Sequence, residues 1–576
     1  LFGISIAVGL TPEMLPAIIT LNLSKGAINM AKKKTIVKNL NSIQNFGAMN
    51  VLCTDKTGTL TLNKVTVIKY FNVLENEDNK IIDFAFINSF FQTGFKNLID
   101  TSVVDYQKKI KRDKIYNDYK KIDEIPFDFK RKRLSIIVEN KNKEKIIICK
   151  GAVEEILSIC DFYETEGNIK KINRRTINQI QELNNKYSND GYRLIAVAYK
   201  KINSVKDGSN NLEKNLIFLG LVCLLDPPKQ SAHEAIEKLK NLGVEIKILT
   251  GDNELVTKKI AQELKIENKG LVLGLQIEEM NQKTLEEVVE KNTIFAKLLP
   301  HHKKRIVEAL RKKHIVGFLG DGINDAPSLR ASDVGISVDG GVDVAKESAD
   351  IILLENNLKI LAEGVIEGRK IFANIIKYLR MGASSNFGNM FSVLGASIFL
   401  PFLPMKPIQI LTNNLLYDIS QLAIPFDSVD KDYIQKPRRW NIGDIRRFII
   451  YIGPVSSIFD YVTYFVMLFI FNSWVNPSLF QTGWFVESLL TQTLIIHVIR
   501  SKGLPFIQSR AHPLLILTTI LISSVGVFLV NSPFASLFGF TTLPLLYWPI
   551  LVSILISYIL LTQIVKIYYI KKFGWN

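Results

Sequence analysis

Val51-Leu52-Cys53-Thr54-Asp55-Lys56-Thr57-Gly58-Thr59-Leu60-Thr61 decides how this chain is read. An apolar, strand-like run empties into a loop that opens on a carboxylate and continues in Lys, Thr and Gly. In an open parallel sheet the ligand site lies outside the carboxyl ends of the strands. A carboxylate placed there can attack the terminal phosphate of ATP and form an acyl phosphate. Two anionic reactants need Mg²⁺ to draw them together and to neutralise the group in transfer. Asp55 is therefore the expected nucleophile, with Lys56 and Thr57 beside it in the loop and Thr57 also facing the metal.

Two further strand-like runs end the same way. Glu245–Leu249 leads into Thr250-Gly251-Asp252, which offers a hydroxyl and a backbone amide to a phosphate. Ile315–Leu319 leads into Gly320-Asp321-Gly322-Ile323-Asn324-Asp325, which offers Asp321 and Asp325 to Mg²⁺ and Asn324 to the same site. Lys303, in Pro300-His301-His302-Lys303, would balance the phosphate charge. Each loop alone reads as a surface turn; three in order, each behind a strand, read as one site. Strands alternating with helix-like stretches such as Lys303–Lys313 argue for an α/β domain with a mostly parallel sheet. Residues 64–215 interrupt that alternation and are expected to form an inserted domain. No Gly-Lys dipeptide occurs, which excludes a P-loop.

Further out, the 576 residues call for several domains. The hydrophobic 47% is unevenly placed: residues 1–31 and 371–570 are apolar, and the middle is polar and Lys-rich. A membrane part and a water-soluble part are expected. After Arg369-Lys370 six spans are predicted, at about 372–400, 407–425, 447–471, 479–499, 514–531 and 545–565. Lys and Arg crowd segments 427–447 and 500–513 and the tail, whereas the alternate connections hold only Lys406. Positive charge on one side in strict alternation places those segments, with the soluble region, in the cytoplasm. The net charge of +17 is spread along the chain rather than clustered with stacking aromatics, so nucleic-acid binding is not expected. Four cysteines form no CxxC pair and read as reduced thiols. The six histidines form no metal-ligand pattern, and adjacent His301 and His302 suit solvent better than a shared metal. The chain opens on Leu inside an apolar stretch and contains no Thr-Gly-Glu.

Thr11-Pro12-Glu13-Met14-Leu15-Pro16 lies inside the first span. Each proline strips a carbonyl of its helical partner, and bare carbonyls at membrane depth need something to satisfy them. Glu13 between the prolines makes a cation site the expected reading. Asn386 and Asn389 share one helix face on the next span, and Asn414 and Asp418 share one on the span after it. Glu13 and Asp418 match one divalent ion in charge, and all-oxygen ligation favours Mg²⁺ or Ca²⁺ over Cu⁺ or Zn²⁺. Asp460 and Glu487 also lie in spans and read as helix-packing partners.

These motifs resemble those of the P-type ATPases, over the whole chain. In that family DKTGT carries the phosphorylated residue, here Asp55, while TGD and GDGxNDAP, here Gly320–Pro327, complete a haloacid-dehalogenase-like phosphorylation domain. The resemblance implies a multidomain fold. It comprises a transmembrane helix at 1–31, the phosphorylation domain at 32–63 and 216–368, an α+β nucleotide-binding domain at 64–215, and an α-helical bundle with a cytoplasmic tail at 369–576. It places nucleotide contacts at Phe127, Lys132, Lys150, Gly151 and Lys229, with Phe129 a rival for the adenine stack. Phosphatases of this fold carry a second Asp two positions after the nucleophile; Thr57 there implies a long-lived acyl phosphate. The family's actuator loop is Thr-Gly-Glu, so an N-terminal part is expected to lie outside this sequence. Gly9–Pro16, Gln44–Thr61, Ser384–Leu394 and Asn413–Asp427 are similar to bacterial magnesium-importing pumps. ATP and Mg²⁺ are the implied cofactors, and a bacterial inner membrane, multi-pass with the large domain cytoplasmic, the implied place. A Ca²⁺ or other divalent pump is the alternative; a membrane-anchored phosphatase and an idle sensor are rivals of another class.

Overall fold

The computed structural model describes residues 14–56, 58–62, 64–93, 97–128, 131–202, 212–355 and 357–575. They fall into two compact units, one built from 51–240 and 244–359, the other from residues up to 50, 241–243 and 360 onward.

The first unit contains two sheets. In one, Val51–Thr54 lies between Glu245–Leu249 and Val316–Leu319, parallel to both. Ile294–Ala296 and Leu271–Leu273 extend it beyond Glu245–Leu249; Val334–Val338 and Ile351–Leu353 extend it beyond Val316–Leu319. Every residue of Val51–Thr54 and Val316–Leu319 is buried, as parallel strands covered on both faces require. Because the three strands run one way, the loops that carry Asp55, Asp252 and Asp321 leave from one edge.

The second sheet is mostly antiparallel and runs Tyr119–Asp128, Arg133–Asn140, Lys145–Gly151, Arg193–Ile202, Leu216–Leu225, Cys160–Thr165, Asn168–Lys171. Thr66–Phe71 also pairs with Leu216–Leu225. Helices Asn79–Phe91 and Leu98–Lys109 supply Ile81, Ile82, Phe86 and Val103 to the core on one side. Arg174–Asn189, capped by Asn173, packs Ile180, Leu183 and Tyr187 on the other. Leu216–Leu225, which follows the expected boundary at 215, belongs to this sheet. Its unbroken apolar run has the composition of a parallel-sheet strand, so periodicity alone assigns it to either sheet.

The second unit is helical: Leu15–Lys32, Lys359–Phe399, Pro407–Gln421, Ile442–Phe465 with its continuation to Ile470, Pro477–Ile499, Pro513–Asn531 and Tyr547–Phe573. Four of these, Ile442–Ile470, Pro477–Ile499, Pro513–Asn531 and Tyr547–Phe573, are long and apolar enough to cross a membrane. Pro407–Gln421, where a span at 407–425 was expected, has 15 residues. At 1.5 Å per residue it covers about 22 Å, short of the roughly 30 Å of hydrocarbon. It is also polar along its length, with Gln409, Asn413, Asn414, Asp418 and Gln421. Lys359–Phe399 is one helix of 41 residues whose first half carries Lys359, Glu363, Glu367, Arg369, Lys370 and Lys377. The four cysteines are buried and unbridged.

Candidate active site

Asp55 directly follows the central strand, its backbone N–H donating to Leu319 at 3.1 Å. One carboxylate oxygen accepts from the Lys56 backbone at 2.7 Å and the other from the Lys303 ammonium at 2.7 Å. The same ammonium donates to Asp325 at 2.8 Å, so Lys303 bridges two of the three loops. Lys303 projects from the first turn of helix Pro300–Arg311, which starts on proline as a helix prefers. Lys56 binds the third loop: its buried ammonium meets Asp252 at 2.7 Å, and Asp252 also meets Arg193 at 3.3 Å.

Gly58 is demanded by geometry. Its φ is +76°, and a Cβ there would fall 2.0 Å from an Asp321 carboxylate oxygen. Asp55, Asp321 and Asp325 thus crowd round a loop that only glycine can form. Burial pushes the Asp55 carboxyl up to about 6, with Asp325 and Asp252 adding to the push against Lys303. Burial, Asp55 and Asp325 push Asp321 up to about 7. Burial alone would lower Lys303, yet Asp55 and Asp325 hold its ammonium above the usual range. Asp55 and Asp325 share the Lys303 ammonium, and with Asp321 they present oxygen-only donors, the donor set that Mg²⁺ takes.

A cavity of about 480 Å³ joins this edge to the second sheet. Asp55, Thr250, Gly251, Asp252, Lys303 and Asn324 line it on one side, and Phe127, Lys132, Lys150 and Gly151 on the other. Phe127 is 47% exposed, so its ring faces the space rather than the core. A Cβ on Gly151 would meet the Lys132 carbonyl at 2.5 Å, which holds the two strands close at the cavity wall. The Lys150 ammonium is engaged by Asp100 and Ser89. Arg193, not anticipated from sequence, also lines the cavity. Only its tertiary position reveals it, since a Gly-Tyr-Arg turn carries no phosphate signature.

Three expectations change or fall outside. Lys229 is not on the cavity wall: its buried ammonium donates to the carbonyls of Gly58 and Thr59 at 2.8 and 2.6 Å, bracing the loop from beneath. Burial pulls it down to about 8 despite Asp321 and Asp226. His301 and His302 do not simply face solvent: both rings meet one Glu278 oxygen, at 2.9 and 2.5 Å, and the candidate ligand atoms lie within 4.8 Å of one another. The His302 Nδ1 accepts the Leu299 backbone N–H at 3.1 Å, which leaves its proton on Nε2, pointed at Glu278 rather than free for a metal. Thr57, Phe129 and Glu13 lie outside the described residues.

In the helical unit Asn386 and Asn389 sit on Lys359–Phe399, Asn414 and Asp418 on Pro407–Gln421. Asn389 accepts from Gln492 at 3.2 Å, and Gln492 in turn donates to Ser488 at 2.7 Å. The Gln492 and Asn413 side-chain oxygens are buried without a donor. Neither residue was singled out from sequence; the groups they meet, at Phe485 and Asn389, lie on distant segments.

The chain belongs to the P-type ATPase family: residues 74–231 match the model of the P-type ATPase cytoplasmic domain N, and residues 402–568 that of the cation transporting ATPase C-terminus. It is 48% identical, over its whole length, to the Magnesium-transporting ATPase, P-type 1 of Salmonella typhimurium (strain 14028s / SGSC 2262), of which it covers 64%. The figures for the Escherichia coli K12 protein of the same name are 48% and 65%. The Calcium-transporting ATPase 1 of Bacillus cereus is 34% identical over 76% of the chain and 52% of that relative. The chain therefore spans a little under two thirds of the length of the magnesium-named relatives.

Proposed function

We propose that Asp55 takes the γ-phosphoryl group of ATP and that the resulting aspartyl phosphate drives import of Mg²⁺ across a bacterial inner membrane. One observation carries the reading. A single cavity presents the nucleophile with its Lys303 counter-charge and, opposite, an exposed aromatic ring and Lys132. Phe127 would stack on adenine, and Lys132, with Lys150 and Gly151 at the end of strand Lys145–Gly151, would hold the ring and phosphates. The parallel-sheet part is then a haloacid-dehalogenase-like phosphorylation domain and the antiparallel sheet its inserted nucleotide-binding domain.

Asp55, Thr57, Asp321 and Asp325 would hold the catalytic Mg²⁺, which neutralises charge on the transferring group when bound. Asp55 attacks, Lys303 compensates the charge that builds on the phosphoryl oxygens, and Thr250 and Gly251 donate to them. Asn324 borders the same space. The cargo ion would be held by Glu13, Asn386, Asn389, Asn414 and Asp418, to which the structure adds Gln492 as a partner of Asn389. Amide-rich ligation suits an ion that keeps part of its water, as Mg²⁺ does. The similarity to magnesium-named pumps supports the same ion.

The test measures ATPase stimulation of the full-length protein by each ion, with catalytic Mg²⁺ held saturating. Stimulation and vesicle uptake specific to Mg²⁺ are expected. Response to Ca²⁺ at far lower concentration would replace the magnesium reading with the calcium one. A phosphatase would accumulate no acid-stable phosphoenzyme, and an idle sensor would bind nucleotide without being labelled.

A further inference from the structure

Within the helical unit, Asp460 and Glu487 are buried carboxyls on two helices that pack together. Asp460, on Ile442–Phe465, is 2% exposed, and Glu487, on Pro477–Ile499, is 0% exposed. One Asp460 oxygen accepts the Trp484 indole N–H at 2.7 Å, and the other accepts the Ser392 hydroxyl at 2.6 Å. Both Glu487 oxygens are buried and receive no donor. Trp484, which donates to Asp460, lies three residues before Glu487 on the same face of Pro477–Ile499, so the two carboxyls share one helix–helix contact.

Two carboxylates cannot hydrogen-bond to each other; a carboxylic acid and a carboxylate can. Leaving both ionised would bury two like charges, each desolvated and without a counter-ion. Among the described residues, the titratable side chains whose charge bears on the pair are Tyr461, Tyr464, Tyr547 and Tyr558, and no Lys, Arg or His is among them. A single proton resolves both faults, since it removes one charge and turns Glu487 into a donor. Asp460 already has a donor on each oxygen, which marks it as the anionic partner. Those same donors disfavour a metal, which would have to displace an N–H and an O–H aimed at its ligands.

We infer that Asp460 and Glu487 form a proton-binding site in the helical unit, with Glu487 carrying the proton and donating it to Asp460. Ser392 lies three residues beyond Asn389 on one face of Lys359–Phe399, and Glu487 precedes Gln492 by five residues in its helix. The site therefore neighbours the proposed cation ligands, yet its argument is independent of which ion they carry.

The test is infrared spectroscopy of the full-length protein in lipid bilayers, with Glu487→Gln and Asp460→Asn. At neutral pH the wild type should show the carbonyl stretch of a buried protonated carboxylic acid, shifted in D₂O. Glu487→Gln should abolish that band while keeping Asp55 phosphorylation, because glutamine still offers a donor to Asp460. Asp460→Asn should keep the band and shift it. An unchanged band in both variants, or none in the wild type, would overturn the site. Should Glu487→Gln not fold, the Asp460→Asn spectrum alone decides: no shift refutes the pairing.

Discussion

At the scale of single residues, the proposed chemistry turns on Lys303. Its ammonium is the group that reaches both Asp55 and Asp325, at 2.7 and 2.8 Å, and it is 4% exposed. Lys303→Ala should lower the phosphorylation rate by about 10²–10³-fold, the range seen when one preorganised charge-stabilising donor is removed. Rapid-quench labelling with γ-labelled ATP measures it; an unchanged rate would show that Lys303 serves only packing. Gly58→Ala sets a second condition. A Cβ 2.0 Å from Asp321 at φ +76° should displace the carboxylate and abolish labelling while nucleotide binding, read by a fluorescent ATP analogue, persists. Normal labelling would mean that the loop has another conformation open to it.

At the scale of elements, Asp427 ties the middle of helix Lys359–Phe399 to the end of Pro477–Ile499 in the helical unit. It accepts from Arg500 through both oxygens at 2.9 Å and from Lys377 at 2.7 Å, with the Asp427 and Arg500 side chains each 1% exposed. Asp427→Ala leaves two buried cations without their anion and should cost about 3–5 kcal/mol, seen as a lower midpoint in thermal unfolding in detergent. Burial works to raise the Asp427 carboxyl, but Lys377 and Arg500 hold it below the usual carboxylate range. A depressed carboxylate contributes stability that is complete above its unfolded value of about 4 and lost as pH falls through the lower folded value. Wild type should therefore lose part of its advantage over Asp427→Ala in acid; a gap independent of pH would contradict the ion pair. On Pro407–Gln421, Asp418→Asn should remove cation-stimulated ATPase of the full-length protein and leave nucleotide binding intact. Retained stimulation would place the cargo ion elsewhere.

Across the whole molecule, what could be read from sequence was what is written locally. The three loops each follow their own strand, so Asp55, Thr250-Gly251-Asp252 and Asp321 to Asp325 carry their signature within a few residues, and the sheet places them on one edge. What could not be read were partnerships between distant segments. Lys150 with Asp100, His302 with Glu278, and Lys229 beneath Gly58 are set by packing, which no period or spacing announces. Lys229 shows the limit of resemblance as well: the residue is present in the motif, and the fold gives its ammonium to backbone carbonyls. The central claim, that Asp55 becomes phosphorylated from ATP, is tested by incubating the full-length protein with γ-labelled ATP and Mg²⁺ and mapping the acid-stable label. Hydroxylamine-sensitive label confined to the peptide that contains Asp55, and lost in Asp55→Asn, is the predicted result; label persisting in Asp55→Asn would contradict it.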